Sequence, residues 1–359
     1  MNAKHLFALA MLSAVVSGAE AAESPARAVL DRDLPKLLSQ YKIPSVSVAQ
    51  IRRGRVVLTA AYGAQSPGVR ATTATLYNIA SLTKPLSAEV ILRLASKGQL
   101  GLDDAMYLSW LDPDIASDPR AKLLTPRLVL SHRSGLPNWR AKTGLAFVHD
   151  PGAQVGYSGE GFEYVARFTQ KKTGQAFTSL AQAVLFDPAG MKDTSYAGKL
   201  WFDGRIAVPT SAVGASLKPL IASEFNAADL VYTTAGDYAR FMTGVLKDEG
   251  LSPAIARERN RIQTDDFAST CAGAKAASCP RAVGFGLGWQ ILEFKGETVM
   301  MHTGKDDGLF TFAYVNRTTG DGAVILSNGE EGYNLIIPIL ERLRSSQVFV
   351  SFLKGQIAG

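Results

Sequence analysis

Strand-forming sequence is concentrated at the two ends of this chain, and that distribution constrains the fold more than any other feature. Near the start, SVSVAQIRRGRVVLTAAYG (residues 45–63) holds two β-rich runs around Arg53-Gly54 and reads as a hairpin. It is preceded by PARAVLDRDLPKLLSQY (25–41), whose apolar residues recur at helical spacing. Near the end, VGFGLGWQILEF (283–294), ETVMMHTG (297–304), GLFTFAYVN (308–316) and GAVILSN (322–328) are β-rich segments separated by turn residues. NLIIPILERLRSSQVFVSFL (334–353) then reads as a terminal helix. Between them, residues 86–280 are helix and loop punctuated by Pro and Gly, with no strand run of comparable quality. The simplest architecture is α/β: one antiparallel sheet built from both chain ends and flanked by helices, with an inserted, mostly helical lobe. Residues 22–85 and 281–359 make the sheet lobe and 86–280 the helical lobe, together one domain. A cleft between the lobes is the natural place for a site.

Residues 1–21 read as a cleavable export signal, with Lys4 in a short positive start, an apolar run from Leu6 to Val16, and small residues at Ala19 and Ala21. The apolar run falls short of the ~20 residues a spanning helix needs, and no later segment spans either. The expected location is therefore periplasmic or secreted. A net charge of +6 with 47% hydrophobic residues is globular, and no Lys/Arg run with interleaved aromatics makes a nucleic-acid face. Cys271 and Cys279, close together in STCAGAKAASCPR, would join in an oxidising compartment; free thiols are the alternative. The histidines are His5, His132, His149 and His302, without C-x-x-C or H-E-x-x-H, so neither a metal site nor a cofactor is expected.

One short stretch carries chemistry. In NIASLTKPLSAEV (78–90), Ser81 and Lys84 stand three apart where a helix begins, because Leu86, Val90, Ile91 and Leu94 follow at helical spacing and Gly98 lies near the end. Pro85 falls in the first turn, where a missing N–H costs little. Residues i and i+3 share a helix face, so Lys84 can approach Ser81 Oγ at the positive end of the helix. A serine nucleophile needs such help, since a base must take its proton and N–H donors must receive the oxyanion it creates. The spacing alone is weak evidence, for two fixed positions match by chance about once per few hundred residues.

The tetrad does not stand alone. With LVLSHRSGLPNW (128–139), DPGAQVGYSGEGF (150–162), YTTAGDYARFM (232–242), GFGLGW (284–289) and His302-Thr303-Gly304, the chain resembles the serine β-lactamases and penicillin-binding DD-peptidases. The resemblance is to the class C-like branch that includes esterases and D-aminopeptidases, and it covers nearly the whole mature chain. It implies that Ser81 is the acylated nucleophile, that Lys84 keeps neighbouring groups deprotonated, and that Tyr157 is the phenol that shuttles the proton. A Tyr with pKa ~10 needs a nearby cation to work as phenolate, and Lys84 would supply it. Either Lys84 or Tyr157 could be the acylation base. His302-Thr303-Gly304 should lie on an edge strand facing the serine. There His302 and Thr303 would bind a substrate carboxylate or hydrogen-bond near Tyr157, and Gly304 would let substrate approach the backbone. The N–H of Lys305 would join that of Ser81 as the oxyanion hole. His302 would titrate near pH 6.5 and could give an acid limb.

One departure matters. Where β-lactamases and DD-peptidases of this branch usually carry Tyr-x-Asn, this chain has Tyr157-Ser158-Gly159, which removes a substrate-gripping amide and favours esters or simple amides over β-lactams. Glu160 reads as a helix-start carboxylate, His132 as loop architecture, Trp139 and Trp289 as packing residues, and Asn316-Arg317-Thr318 as a hairpin turn. The expected function is an exported serine hydrolase forming an acyl-enzyme at Ser81 with an ester, a β-lactam or a D-amino-acid peptide. The alternative is a non-catalytic, penicillin-binding-like module that binds peptidoglycan fragments. Neither the substrate nor the oligomeric state follows from the sequence.

Overall fold

Alternation along the strands decides the architecture, because the sheet is apolar on both faces. In the computed structural model, which describes residues 25–273 and 278–358, the chain enters through helix α1 (Pro25–Tyr41). The segment read as an export signal lies outside the described residues. Strands β1 (Ser45–Arg52) and β2 (Arg55–Ser66) form the expected hairpin, with Arg53 (φ +48°) and Gly54 (φ +71°) both left-handed at its tip. Next come the short β3 (Val69–Arg70) and β4 (Tyr77–Asn78), and then the buried helix α2 (Thr83–Ser96). The middle of the chain contributes helix α3 (Gly159–Thr173), the short β5 (Tyr232–Thr233), and helices α4 (Ala235–Leu246) and α5 (Pro253–Arg259). Strands β6 (Thr264–Asp265), β7 (Ala282–Phe285), β8 (Gln290–Phe294), β9 (Glu297–Asp306), β10 (Leu309–Asn316) and β11 (Asp321–Ser327) follow, before helices α6 (Ile336–Arg342) and α7 (Gln347–Ala358).

The two ends join as expected. Strand β1 pairs antiparallel with β11, Val46 opposite Ser327, in a nine-stranded sheet of order β3-β2-β1-β11-β10-β9-β8-β7-β6. Val48, Val299, Met301, Phe312 and Ile325 face α1, α6 and α7 on one side. Their neighbours Ala49, Met300, Ala313, Val324 and Leu326 face α2 and the helical segments on the other. Helix α2 is buried from Thr83 to Leu94 and carries Glu89 into this second core, where Arg259 answers it at 2.7 Å. Such a pair fixes the helix rather than strengthening the fold, since removing one partner would leave a buried charge at a cost of about 3–5 kcal/mol.

Several sequence expectations need correction. VGFGLGWQILEF is not one strand but a hairpin, in which Gly284 and Phe285 end β7 and Gly286–Trp289 make the turn into β8. The terminal helix is two helices, broken where Arg344 turns left-handed (φ +53°). The Arg52 guanidinium binds the carbonyls of Leu343 and Arg344 at that break. Ser346 then caps the second helix, its Oγ accepting from the N–H of Phe349 at 3.4 Å. The middle segment is not strand-free, because β6 adds an edge to the main sheet and β5 pairs with β4. Cys271 and Cys279 are joined in a disulfide, their Cα atoms 6.0 Å apart. Asn316 is buried in a turn, its Oδ1 accepting from the N–H groups of Thr318 (3.0 Å) and Thr319 (3.2 Å). Among the described residues no helix is long and apolar enough to cross a membrane.

Candidate active site

Ser81 lies on a single 3-10 turn, Ala80–Leu82, that leads into α2. Ala80 is left-handed (φ +45°), a conformation costing an L-residue about 1–2 kcal/mol, and Asn78 Oδ1 holds its N–H at 2.9 Å. The segment around Val231 runs alongside: its carbonyl accepts from the N–H of Ile79 at 3.0 Å, and its N–H donates to Thr83 Oγ1 at 3.2 Å. One turn on, Lys84 is fully buried and donates to Ser81 Oγ at 2.9 Å and to the Ala228 carbonyl at 3.0 Å. Burial pushes the Lys84 ammonium below the usual lysine range, against the opposing pull of the Asp229 and Glu163 carboxylates. A lysine so placed can shed its proton near neutrality and take one from the serine.

Tyr157 is delivered to the same point by the start of α3. Ser158 is the N-cap, accepting from the N–H of Gly161 at 2.9 Å and donating to the Pro137 carbonyl at 2.8 Å. His132, left-handed itself (φ +56°), grips the approach from beneath: its carbonyl accepts from Gly156 N–H at 2.8 Å and its Nδ1 from Ser158 N–H at 3.2 Å. The imidazole stacks on the Tyr157 ring with centroids 4.4 Å apart. His132 is thus architectural, as expected, and burial with the nearby Lys84 keeps it neutral. Tyr157 is 37% exposed. Burial pushes the phenol well above the usual tyrosine range; the Ser81 hydroxyl opposes that shift, and the Asp229 carboxylate adds to it. Lys84 Nζ sits over the ring, 4.8 Å from its centroid. The charge expected to support a phenolate is therefore at the ring face, and the free protein holds Tyr157 as a proton donor.

Strand β9 brings the third group. It is an interior strand, yet its pairing with β8 ends at Met301, so His302–Asp306 runs on as a local edge held by β10 alone. Backbone groups alternate between neighbours in an antiparallel pair, and this leaves the N–H of Thr303 and of Lys305 turned to the open side. His302 is buried and faces the same side as Gly304; its Nδ1 meets the Thr303 carbonyl at 2.7 Å, and its Nε2 has no partner. Burial and Lys84 hold His302 down to about 3, so it is neutral near pH 6.5 and gives no acid limb there. Thr303 alternates to the outer face and lines an apolar cavity with Met301, Phe310 and Phe352. Gly304 has a packing task as well. A Cβ there would stand 2.2 Å from the Ile79 carbonyl oxygen and 2.3 Å from Thr311 Oγ1, so this glycine lets β9 press against the nucleophile turn. Gly304→Ala should destabilise the fold by about 1–3 kcal/mol in urea denaturation. It should also slow acylation of Ser81 on the order of 10²-fold by shifting the strand.

Two groups escaped the sequence reading. Asp229 is buried beside Lys84 and Tyr157 with Oδ1 unpartnered, and burial raises its pKa, with Asp306 adding to the shift. Glu163, on α3, accepts from the N–H of Ala227, and burial raises its pKa to about 7. It thereby anchors the segment that presents the Ala228 carbonyl to Lys84. No local spacing announces either residue; only the fold brings residues 163 and 229 to residue 84.

Beside Lys84 lies a cavity of about 670 Å³, lined by Trp110, Trp139, Glu160, Glu163, Arg167 and Phe225 among others. Trp139 is 44% exposed and lines this cleft, whereas Trp289 is fully buried and stacked on Phe241, so packing describes only the second. Trp139 also explains Gly159. A Cβ at 159 would lie 2.6 Å from the Asn138 carbonyl oxygen and 2.9 Å from the Trp139 ring, so the side chain usual in relatives has no room here. Gly159→Asn should therefore cost about 1–3 kcal/mol of stability without creating β-lactam turnover. A variant as stable as wild type in urea would show that Trp139 yields.

The Beta-lactamase family model matches residues 30–340 of this chain. Protein flp of Staphylococcus aureus (strain COL) is 24% identical over 330 residues, which are 85% of this chain and 63% of that protein, so the chain spans less than two thirds of this relative. Among solved structures, a class C beta-lactamase superposes with a TM-score of 0.74 at 17% identity, over 92% of this chain and 98% of that one. The D-alanine carboxypeptidase AmpC from Burkholderia cenocepacia gives 0.70 at 20% identity, over 89% and 98%.

Proposed function

The chain belongs to the β-lactamase family, and from that premise and the site geometry we propose that it is an exported serine hydrolase working through an acyl-enzyme at Ser81. The observation that carries the reading is the 2.9 Å bond between Ser81 Oγ and a buried Lys84 whose pKa burial lowers to about 8. As Ser81 Oγ attacks the carbonyl carbon, its proton passes to the Lys84 amine, and the C–O bond forms as negative charge moves to the carbonyl oxygen. The N–H groups of Ser81 and Lys305 receive that oxyanion. Tyr157, protonated and facing Ser81, delivers a proton to the departing alcohol or amine as the tetrahedral species collapses, and the proton held by Lys84 passes to Tyr157 in its place. Water then attacks the acyl-enzyme by the reverse relay and releases the acid.

The substrate reading follows from Trp139 and Gly159. With no amide at 159 and none that fits, an acylamino group loses its usual grip, and a reactive ester, which needs less help at the leaving group, is favoured over a β-lactam or a D-amino-acid peptide. The test is labelling by a fluorophosphonate probe combined with parallel turnover of nitrocefin, a D-Ala-D-Ala peptide and short-chain p-nitrophenyl esters. Stoichiometric labelling with esters turned over fastest is the expected outcome. Nitrocefin far outrunning every ester would overturn the substrate reading. Absence of both labelling and turnover would leave the binding-module alternative standing.

A further inference from the structure

We propose that the cleft beside Ser81 is a subsite for an acyl group carrying a carboxylate, its apolar stretch held by Trp110 and Trp139 and its charge received by Arg167. This rests on the serine-hydrolase reading and narrows its substrate class. The cleft adjoins the reacting atoms through Trp139, which lines it and whose ring lies 5.8 Å from Lys84 Nζ. Its floor is one face of α3, where Glu160, Glu163, Tyr164, Arg167 and Lys171 recur at helical spacing. From Glu160 to Arg167 the helix rises about 10 Å, so Arg167 stands well away from the serine.

The charges along this face are unevenly matched. At the near end, Arg140 holds Asp112 at 2.5 Å and Glu160 at 3.4 Å, and these carboxylates are answered. At the far end, Arg167 lies over the Phe225 ring at 5.6 Å, and among the described residues no carboxylate comes within ion-pair distance of it or of Lys171. Glu163 is the remaining carboxyl group on this wall. It is engaged by Ala227 N–H and, with its pKa raised to about 7, is partly protonated at neutrality. A guanidinium held near an aromatic ring in place of a carboxylate keeps N–H groups available, and its planar fork can receive a carboxylate in two parallel bonds. The cleft thus offers aromatic surface at its near end and, at its far end, a cation with no ion-pair partner among the described residues, whose carboxyl neighbour Glu163 feels its charge but is already engaged by the backbone.

The test uses p-nitrophenyl monoesters of dicarboxylic acids from succinate to pimelate, each beside a neutral acyl ester of equal length. The ratio of kcat/KM, charged over neutral, should pass through a maximum at one chain length. In Arg167→Ala that maximum should fall about tenfold, the worth of one charge-assisted hydrogen-bonded contact at a partly exposed site. Arg167→Glu should move the preference toward ω-amino acyl esters. A ratio identical in wild type and Arg167→Ala at every length, with the neutral esters still turned over, would overturn the subsite and leave the serine hydrolase intact. Failure of all esters together with failure of fluorophosphonate labelling would overturn both.

Discussion

Ser81→Ala should abolish covalent labelling by a fluorophosphonate probe and lower ester turnover on the order of 10⁴-fold or more, with the melting temperature nearly unchanged. The two halves of that result have separate causes. The acyl link needs the hydroxyl oxygen itself, and no neighbour can replace it: Thr83 Oγ1 is held by Val231 N–H and Ser87 Oγ by the Ala227 carbonyl. The fold, by contrast, hardly uses Ser81 Oγ. Its partners are Lys84 and Tyr157, and Lys84 keeps the Ala228 carbonyl when the hydroxyl is gone. A half-exposed serine with so little packed on it should alter stability by no more than about 0.5 kcal/mol. Labelling of the variant at full stoichiometry would place the nucleophile elsewhere.

The sequence revealed those parts of this site that depend on local chain geometry. Ser81 and Lys84 share a helix face, and periodicity alone located that helix. The β-rich ends announced a sheet closed between β1 and β11, since strands with apolar residues on both faces must be buried between layers. What stayed hidden depends on approach between distant segments. Glu163 and Asp229 are far from Lys84 in sequence and become its electrostatic neighbours only when α3 and the segment before β5 close around α2. The packing task of Gly304 stayed hidden for the same reason, because the Ile79 carbonyl it accommodates is more than two hundred residues away in sequence. The missing Asn at 159 was legible, but not that Trp139 occupies its space. His302 reads in sequence as a titrating group, and burial removes it from the neutral range.

Lys84→Ala and Tyr157→Phe should each cost on the order of 10²-fold or more in turnover, and the double variant should lose far less than the product of the two. Both side chains converge on one oxygen, Lys84 by a 2.9 Å bond and Tyr157 through its hydroxyl, so removing either breaks a single relay. The pH dependence assigns the base. If Lys84 must be the free amine, kcat/KM rises with pH through the lowered Lys84 pKa and then levels, while His302, neutral throughout, adds nothing to that limb. Glu163 titrates in the same region, and Glu163→Gln separates the two, because its carboxylate favours the charged ammonium and removing it lowers the Lys84 pKa further. The acid limb should therefore move to lower pH in Glu163→Gln. A limb that vanishes instead belongs to Glu163 itself. A limb that stays in place, with the Lys84 and Tyr157 losses simply multiplying, would assign the two residues to separate steps and remove Lys84 as the base.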